Sequence, residues 1–418
     1  MSLEPIAPTA ADVEASLRKT LAFACAQDYI GYGKHDALNS PLVKALTFNR
    51  PWLRILAIQV VMRSPINLRP VLRVKKYRNP KGIALFARCY LNLYKWGRRS
   101  EDLQEALNLL AWLDDTRIRG WSGPCWGYSW DWQDLDLFYA PAGTPNTVVT
   151  TFVAQALVEG FEVTSDQRWL RLAEQSLRFI RSDLSVLYED GNSKCVSYVP
   201  RQDTGTAVLN VNALVGALMA RVGSHVGDSS MLAEARKLLN YAVDKQTAEG
   251  AWYYAHPREA SPVKIDNYHT GFMLESLLDY QLATGDQRFE AAYLRGLAFF
   301  RANLFREDGA PKWTSRQVYP LDIHGAGTAI AALARAAHSH DVTCLEDAGR
   351  TTSWAIKNMQ APEGFFYYQK HRWWTNRFTE MRWCNAWMSY GLSAFWSAER
   401  KFVNETGVEV RAANQDAA

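Results

Sequence analysis

The sequence predicts an all-α chain arranged as an (α/α)6 toroid, six inner helices around an axis coated by six outer ones, with a basic, apolar insertion near the N-terminus. Three observations predict it. First, the chain echoes itself. Thr164-Ser165-Asp166-Gln167-Arg168-Trp169 returns as Thr284-Gly285-Asp286-Gln287-Arg288-Phe289, an offset of 120 residues. Gln246-Thr247-Ala248-Glu249-Gly250-Ala251-Trp252 returns 114 residues later as Gln360-Ala361-Pro362-Glu363-Gly364-Phe365-Phe366. Second, the turn glycines Gly191, Gly250, Gly309 and Gly364 are spaced by 59, 59 and 55 residues, which sets a unit near sixty. Third, each unit pairs a helix that is apolar on nearly every side, as in residues 148–154, with an amphipathic one. In the second unit the latter buries Trp169, Leu170, Leu172, Ala173 and Leu177 and turns Arg168, Arg171, Glu174 and Gln175 outward. Helices apolar all round need a closed ring to bury them, which weighs against an open solenoid.

Taken in order, residues 10–25 supply one outer helix. Inner helices are expected to start near Lys81, Thr144, Asn210, Asn267, Asp322 and Asn385, and the other outer helices near Glu101, Ser165, Ser230, Asp286 and Cys344. The expected division is 1–80 for the first helix and the insertion, 81–402 for the toroid, and 403–418 for a disordered tail.

Composition narrows the class. In 418 residues, 48% are hydrophobic and 22% charged, which excludes a mainly disordered or fibrous chain. Sixteen Trp suggest a site where flat apolar faces matter, such as those of sugar rings or isoprenoids. Six scattered Cys without a C-x-x-C pair argue against a disulfide framework or a zinc site and suit a reducing compartment. The opening MSLEPIAPTA has no secretory pattern, and no stretch of 18 uninterrupted apolar residues occurs. A cytoplasmic location, peripheral to the inner membrane, is the expectation.

Charge is unevenly spread. Residues 37–100 hold 14 Lys and Arg and no Asp or Glu, interleaved with Leu46, Phe48, Trp52, Leu56 and Val60. An apolar helix with basic flanks suits an anionic membrane surface, here through residues 41–78, or it packs on the toroid with its Arg side chains reaching to water. No base-reading module accompanies it, so no nucleic-acid partner is expected.

In a toroid the loops before the inner helices converge on one mouth, where a rigid scaffold can hold a site. The second such loop, residues 120–136, holds Trp121, Trp126, Tyr128, Trp130 and Trp132 with Asp131, Asp134 and Asp136. Aromatic faces stack on sugar rings, and Asp binds hydroxyls or moves protons. Helix capping would account for Thr144 or Asn146, with Pro145 at the first helical position, but not for so many Trp. When the units are aligned, Asn146, His269, His324 and Asn385 fall at equivalent helix starts. The sixth loop adds Arg377, Glu380, Arg382, Trp383 and Trp387. No clustered ligand set points to a metal, and no cofactor is expected.

Three resemblances follow from these segments. Trp126-Gly127-Tyr128-Ser129-Trp130-Asp131-Trp132-Gln133, followed by Thr144-Pro145-Asn146-Thr147-Val148-Val149, resembles a family of bacterial surface-polysaccharide biosynthesis proteins with an α/α toroid. The likeness extends to Asp36-Ala37-Leu38-Asn39-Ser40 and Ser64-Pro65-Ile66-Asn67-Leu68-Arg69-Pro70. Asp266-Asn267-Tyr268-His269-Thr270 resembles a helix-opening stretch of glucuronyl C5-epimerases. Residues 246–252 are similar to the Q-x-x-x-G-x-W repeats of squalene–hopene cyclases and prenyltransferases, which tie turns to outer helices.

The leading expectation is a carbohydrate-active enzyme, of glycoside hydrolase or lyase type, acting on a bacterial cell-surface polysaccharide or oligosaccharide or its lipid-linked precursor. Asp131, Asp134, Tyr268 and His269 are the expected catalytic groups. Trp126, Trp130, Asn146, His324, Arg382, Trp383 and Asn385 are expected to hold substrate. A uronate C5-epimerase, an isoprenoid cyclase and a non-catalytic polysaccharide-binding scaffold are the alternatives. Against the cyclase, Asp134-Leu135-Asp136-Leu137 stops short of D-x-D-D, and Asp114-Asp115-Thr116-Arg117-Ile118 lacks the last Asp of D-D-x-x-D.

Overall fold

A computed structural model of the chain describes residues 8–133, 139–200 and 206–406. Helix α1 (Ala10–Ala26) is followed by the short helices α2 (Pro41–Leu46) and α3 (Pro51–Arg63) of the insertion. Inner and outer helices then alternate: α4 (Pro80–Gly97) with α5 (Ser100–Asp115), α6 (Thr147–Thr164) with α7 (Gln167–Ser182), and α8 (Leu209–Val226) with α9 (Ser229–Val243). They continue as α10 (Asn267–Thr284) with α11 (Glu290–Asn303), α12 (Ile323–Ser339) with α13 (Thr343–Met359), and α14 (Trp387–Thr406). The chain is an α/α toroid. Helix α14 packs on both α12 and α4, closing the inner layer, and α1 packs on α14 as the sixth outer helix.

Local chemistry explains the alternation. At the mouth end, Asn79, Asn146, Asp266 and Asp322 cap α4, α6, α10 and α12 with their side-chain oxygens. At the other end Arg98, Ser165, Gly227 and Gly285 take left-handed backbone and turn the chain into the next outer helix. The repeated glycines act between units. Gly250 and Gly364 have positive φ, and a Cβ on either would strike a carbonyl oxygen of the next outer helix, Arg295 at 2.4 Å and Lys19 at 2.5 Å. The repeated Gln reinforces that contact. Gln246 Nε2 donates to Ala292 O at 2.8 Å, and Gln360 Nε2 donates to Ser16 O at 3.0 Å, so the last copy of the motif fastens α13 to α1.

The core runs continuously through all six units. At its far end one polar chain crosses it. Arg88 of α4 pairs with Glu159 of α6 at 2.8 Å and donates to Tyr390 of α14 at 2.8 Å. Arg221 of α8 joins Glu159 at 3.4 Å. Tyr390 donates to Glu275 of α10 at 3.0 Å, and Arg335 of α12 reaches Glu275 at 3.4 Å. Every inner helix contributes a member.

The insertion is pinched at its base by antiparallel pairing of Ile30–Gly31 with Tyr77–Arg78. It has a small core of its own, made by Ala37, Leu38, Val43, Ile58 and Val61. One buried cation ties it to the toroid. Arg69 donates from Nε to Asp36 at 2.7 Å, and from Nη2 to Glu380 at 2.6 Å and Gly33 O at 2.8 Å. All three charged side chains are 0% exposed. Burial pushes the Glu380 carboxyl up to about 7 against the pull of Arg69.

Three boundaries differ from expectation. Helix α11 starts at Glu290 rather than near Asp286. Helix α6 starts at Thr147, because Thr144 Oγ1 donates to Pro141 O at 2.7 Å and Asn146 is the cap, which leaves Pro145 outside the helix. Helix α14 runs to Thr406, into the stretch expected to be a tail, and follows a π-helical turn at Met381–Ala386 that contains Asn385.

Removing one partner of a buried charge cluster strands the others, at about 3–5 kcal/mol. We therefore expect Arg69→Met to lower the free energy of unfolding by about that amount, measured by urea denaturation. A change below about 1 kcal/mol would show that water replaces the guanidinium.

Candidate active site at the toroid mouth

At the end of the axis where α4, α6, α8, α10 and α12 begin lies a cavity of about 320 Å³. Its wall includes Lys81, Tyr128, Trp130, Tyr198, Asn210, Tyr254, Tyr268, His269, His324, Arg382 and Trp383. The insertion completes it with His35, Ile58 and Gln59. Among the described residues no Asp or Glu lines it.

His269 is the best-oriented base. The Asp266 carboxylate caps α10 through Oδ1, which accepts from the His269 backbone N–H at 2.9 Å. Its Oδ2 lies 2.7 Å from His269 Nδ1. An ionised carboxylate only accepts, so the ring donates through Nδ1, which in the neutral imidazole leaves the lone pair on Nε2. Tyr268 and Tyr254 flank the ring at centroid distances of 4.2 and 4.5 Å. Burial, aided by Asp266 and Asp322, raises the Tyr268 phenol well above 10, so it stays protonated and serves as a donor.

His324 is different. It is buried, and neither ring nitrogen has a hydrogen-bond partner among the described residues. Burial, then the nearby Lys81, Lys34, Arg382 and His269, push its pKa well below 6.5. It stacks on Trp383 at 4.0 Å, and Lys34 Nζ lies 3.8 Å from the other ring's centroid. Asp322 fixes this group: it accepts from Trp383 Nε1 at 2.8 Å and Gln369 Nε2 at 2.7 Å and pairs with Lys34 at 3.5 Å.

Two basic side chains face the cavity without a carboxylate partner among the described residues, Lys81 and Arg382. Lys81 Nζ lies 3.9 Å from the centroid of Phe152, with Phe272 and Trp387 at 5.1 and 5.2 Å. Burial, with Arg382 nearby, pushes its pKa well below 10.5. Arg382 lies against Trp383, Tyr128 and Trp130, and its Nε is buried with no partner among the described residues.

Of the residues singled out in the sequence, Trp130, Tyr268, His269, His324, Arg382 and Trp383 meet in this wall. Four others are turned elsewhere. Trp126 is a core residue whose Nε1 donates to Leu113 O at 2.8 Å. Asn146 accepts from Val149 N at 2.9 Å as a helix cap. Asn385 accepts from Phe366 N at 2.9 Å and donates to Thr379 Oγ1 at 3.0 Å, holding the π-turn. Asp131 pairs with Lys44 at 2.5 Å and accepts from Tyr139 at 2.6 Å and Ala142 N at 2.8 Å. Burial alone would raise its pKa, but the hydrogen bonds from Lys44, Tyr139 and Ala142 hold it below the usual carboxylate range. Asp134 lies outside the described residues. Lys81, Tyr198, Tyr254 and Asn210 were not among the expected site residues. The signal for Lys81 is a lysine at the start of a helix that is otherwise apolar from Gly82 to Ala87.

No family model matches the chain, and no curated protein matches it. Solved structures do share its fold. A D-mannose isomerase superposes with a TM-score of 0.63 at 11% identity, covering 92% of this chain and 96% of that one. An unsaturated glucuronyl hydrolase specific for heparin gives 0.61 at 11% identity, covering 95% and 97%. Cellobiose 2-epimerase from Bacillus thermoamylovorans gives 0.61 at 13% identity, covering 78% and 88%. At these identities the likeness establishes the α/α toroid.

The buried His324 gives a pH-dependent prediction. Unfolded, its ring binds a proton below 6.5; folded, it resists, so its contribution to stability is complete above 6.5 and is lost as pH falls. We expect wild type to lose stability relative to His324→Gln by up to about 1.4 kcal/mol per pH unit as pH falls below 6.5. Parallel urea titrations of the two proteins measure the difference, which cancels the opposing effect of Glu380. A constant difference across pH 7 to 5 would mean that the ring accepts a proton in place.

Proposed function

We propose that this chain is a carbohydrate-active enzyme that moves a proton on an anionic sugar, of lyase or epimerase type, drawn from a cell-surface polysaccharide or its lipid-linked precursor. The observation that carries the reading is a cavity lined by a carboxylate-oriented histidine, a protonated tyrosine, the Arg382 guanidinium and the Lys81 amine, with no carboxylate among its described lining residues. Aromatic walls from Trp130, Tyr128 and Trp383 suit the apolar faces of a sugar ring. A uronate carboxylate would lie against Arg382 and Lys81. The bound carboxylate favours the ammonium form of Lys81, and the two cations then offset the enolate charge that develops when the proton beside the carboxylate leaves. His269 Nε2 takes that proton, with Asp266 holding the imidazolium that forms, and the Tyr268 hydroxyl donates to the leaving oxygen or returns a proton. The fold neighbours named above, an isomerase, a glucuronyl hydrolase and an epimerase, are in keeping with a sugar substrate.

A two-carboxylate glycoside hydrolase draws less support, because Asp131 is engaged by Lys44 and Tyr139 rather than facing the cavity. The isoprenoid cyclase is weaker still. Asp114 pairs with Arg117 at the end of outer helix α5, and neither residue lines the cavity.

On uronate-containing oligosaccharides we expect His269→Ala to lower kcat by about 10²–10⁴-fold and Asp266→Asn to follow it. Arg382→Ala should raise KM for the uronate substrate and leave a neutral oligosaccharide unaffected. Asp131→Asn should keep kcat near wild type. Product NMR in D2O reads the chemistry. Deuterium beside the carboxylate marks epimerisation, and a new carbon–carbon double bond marks elimination. Fresh reducing ends with neither signal, lost in Asp131→Asn, would instead establish hydrolysis.

A further inference from the structure

We propose that the α2–α3 insertion is a docking surface for an anionic lipid bilayer, set so that the bilayer lies beside the wall of the cavity. Large apolar side chains cluster there on the outside of the molecule. Eight of the eighteen that stand exposed among the described residues fall within residues 42–71. Phe48 is 73% exposed, Trp52 62%, Leu56 54% and Val60 51%. Trp52, Leu56 and Val60 recur every four residues and so share one face of α3. Such a continuous patch marks an interaction site rather than chance exposure.

Helix α3 is apolar on two sides for two reasons. Ile58 and Val61 are buried in the insertion's small core, and Ile58 with Gln59 lines the cavity. The Trp52–Leu56–Val60 face has nothing over it among the described residues. A surface element that is apolar on its outward side and basic around it fits the boundary of a membrane better than a protein partner. The charge supports this choice. Arg50, Arg63, Arg73, Lys75 and Lys76 are exposed, and none makes an ion pair among the described residues. No acid occurs anywhere in residues 37–100 to oppose them. Each such cation near an anionic leaflet strengthens the attraction to it. No described helix is long and apolar enough to cross a membrane, so the contact lies in the interface.

One helix therefore presents an apolar face outward and walls the cavity inward. On the sugar reading above, on which this last step rests, docking brings the mouth to the lipid surface, where a saccharide carried on a lipid would be met.

The test is flotation of the full chain with phosphatidylcholine vesicles, with and without phosphatidylglycerol, alongside light scattering of the protein alone. Binding to the anionic vesicles, at least tenfold weaker to neutral ones and weaker at high salt, is the expected result. Trp52→Glu with Leu56→Glu should abolish it, and Lys75→Glu with Lys76→Glu should weaken it, both with unchanged thermal melts because these side chains are exposed. Equal or absent binding to the two vesicle types would overturn the proposal. So would a stable dimer that the Trp52→Glu, Leu56→Glu protein loses, because a second copy would then cover the face. Flotation needs no substrate, so its failure leaves the His269 chemistry standing, and an inactive His269→Ala that still floats leaves docking standing.

Discussion

Six helices that are apolar on nearly every side can be buried together only if the sixth returns to the first, and that closure fixes where everything else in the molecule sits. Packing alone does not specify a register for such helices. The polar chain Arg88–Glu159–Arg221 with Tyr390, Glu275 and Arg335 does, since a helix that slips along the axis breaks its bond to a neighbour. Buried ion pairs add little net stability, but a misplaced one is expensive. The outer layer has its own fastening, the Gln–Gly turn, and its last copy reaches α1, nearly 350 residues earlier in the chain.

Closure also defines the chemistry. It directs the starts of the inner helices at one cavity, and those starts carry caps, free N–H groups and the residues beside them. The same Asp266 that caps α10 orients His269, and the same Asp322 that caps α12 holds Trp383 against His324. Structure and site thus share side chains. Burial then separates the roles: it keeps the Tyr268 phenol protonated, keeps His324 neutral, and disfavours the ammonium form of Lys81 until a counter-charge arrives. Such a wall favours an anionic ligand over a neutral one.

The insertion joins this site through Arg69, whose bonds to Asp36 and Glu380 reach from the N-terminal segment to the turn that carries Arg382 and Trp383. The insertion therefore meets the cavity wall on two sides, at Ile58 and Gln59 directly and, through Arg69 and Glu380, at the turn that carries Arg382.

What the sequence by itself determined was everything encoded by period and local pattern. The sixty-residue unit, the inner and outer helices and the register of His269 and His324 at helix starts are properties of residues near each other in the chain. So is the aromatic richness around Trp130. The tertiary structure decided which way side chains in those segments turn, because their partners are remote in sequence. Asp131 looked like an acid in an aromatic loop, yet Lys44, 87 residues earlier, takes it out of the cavity wall. Trp126 belongs to the same run as Trp130 but is drawn into the core by Leu113 O. Asn146 and Asn385 share a register with the histidines, but backbone N–H groups claim their side-chain oxygens. Lys81 carried no motif at all. It became a site residue only because closure set Phe152, Phe272 and Trp387 around its ammonium and brought no carboxylate to it among the described residues, a matter of three-dimensional desolvation that no local pattern encodes.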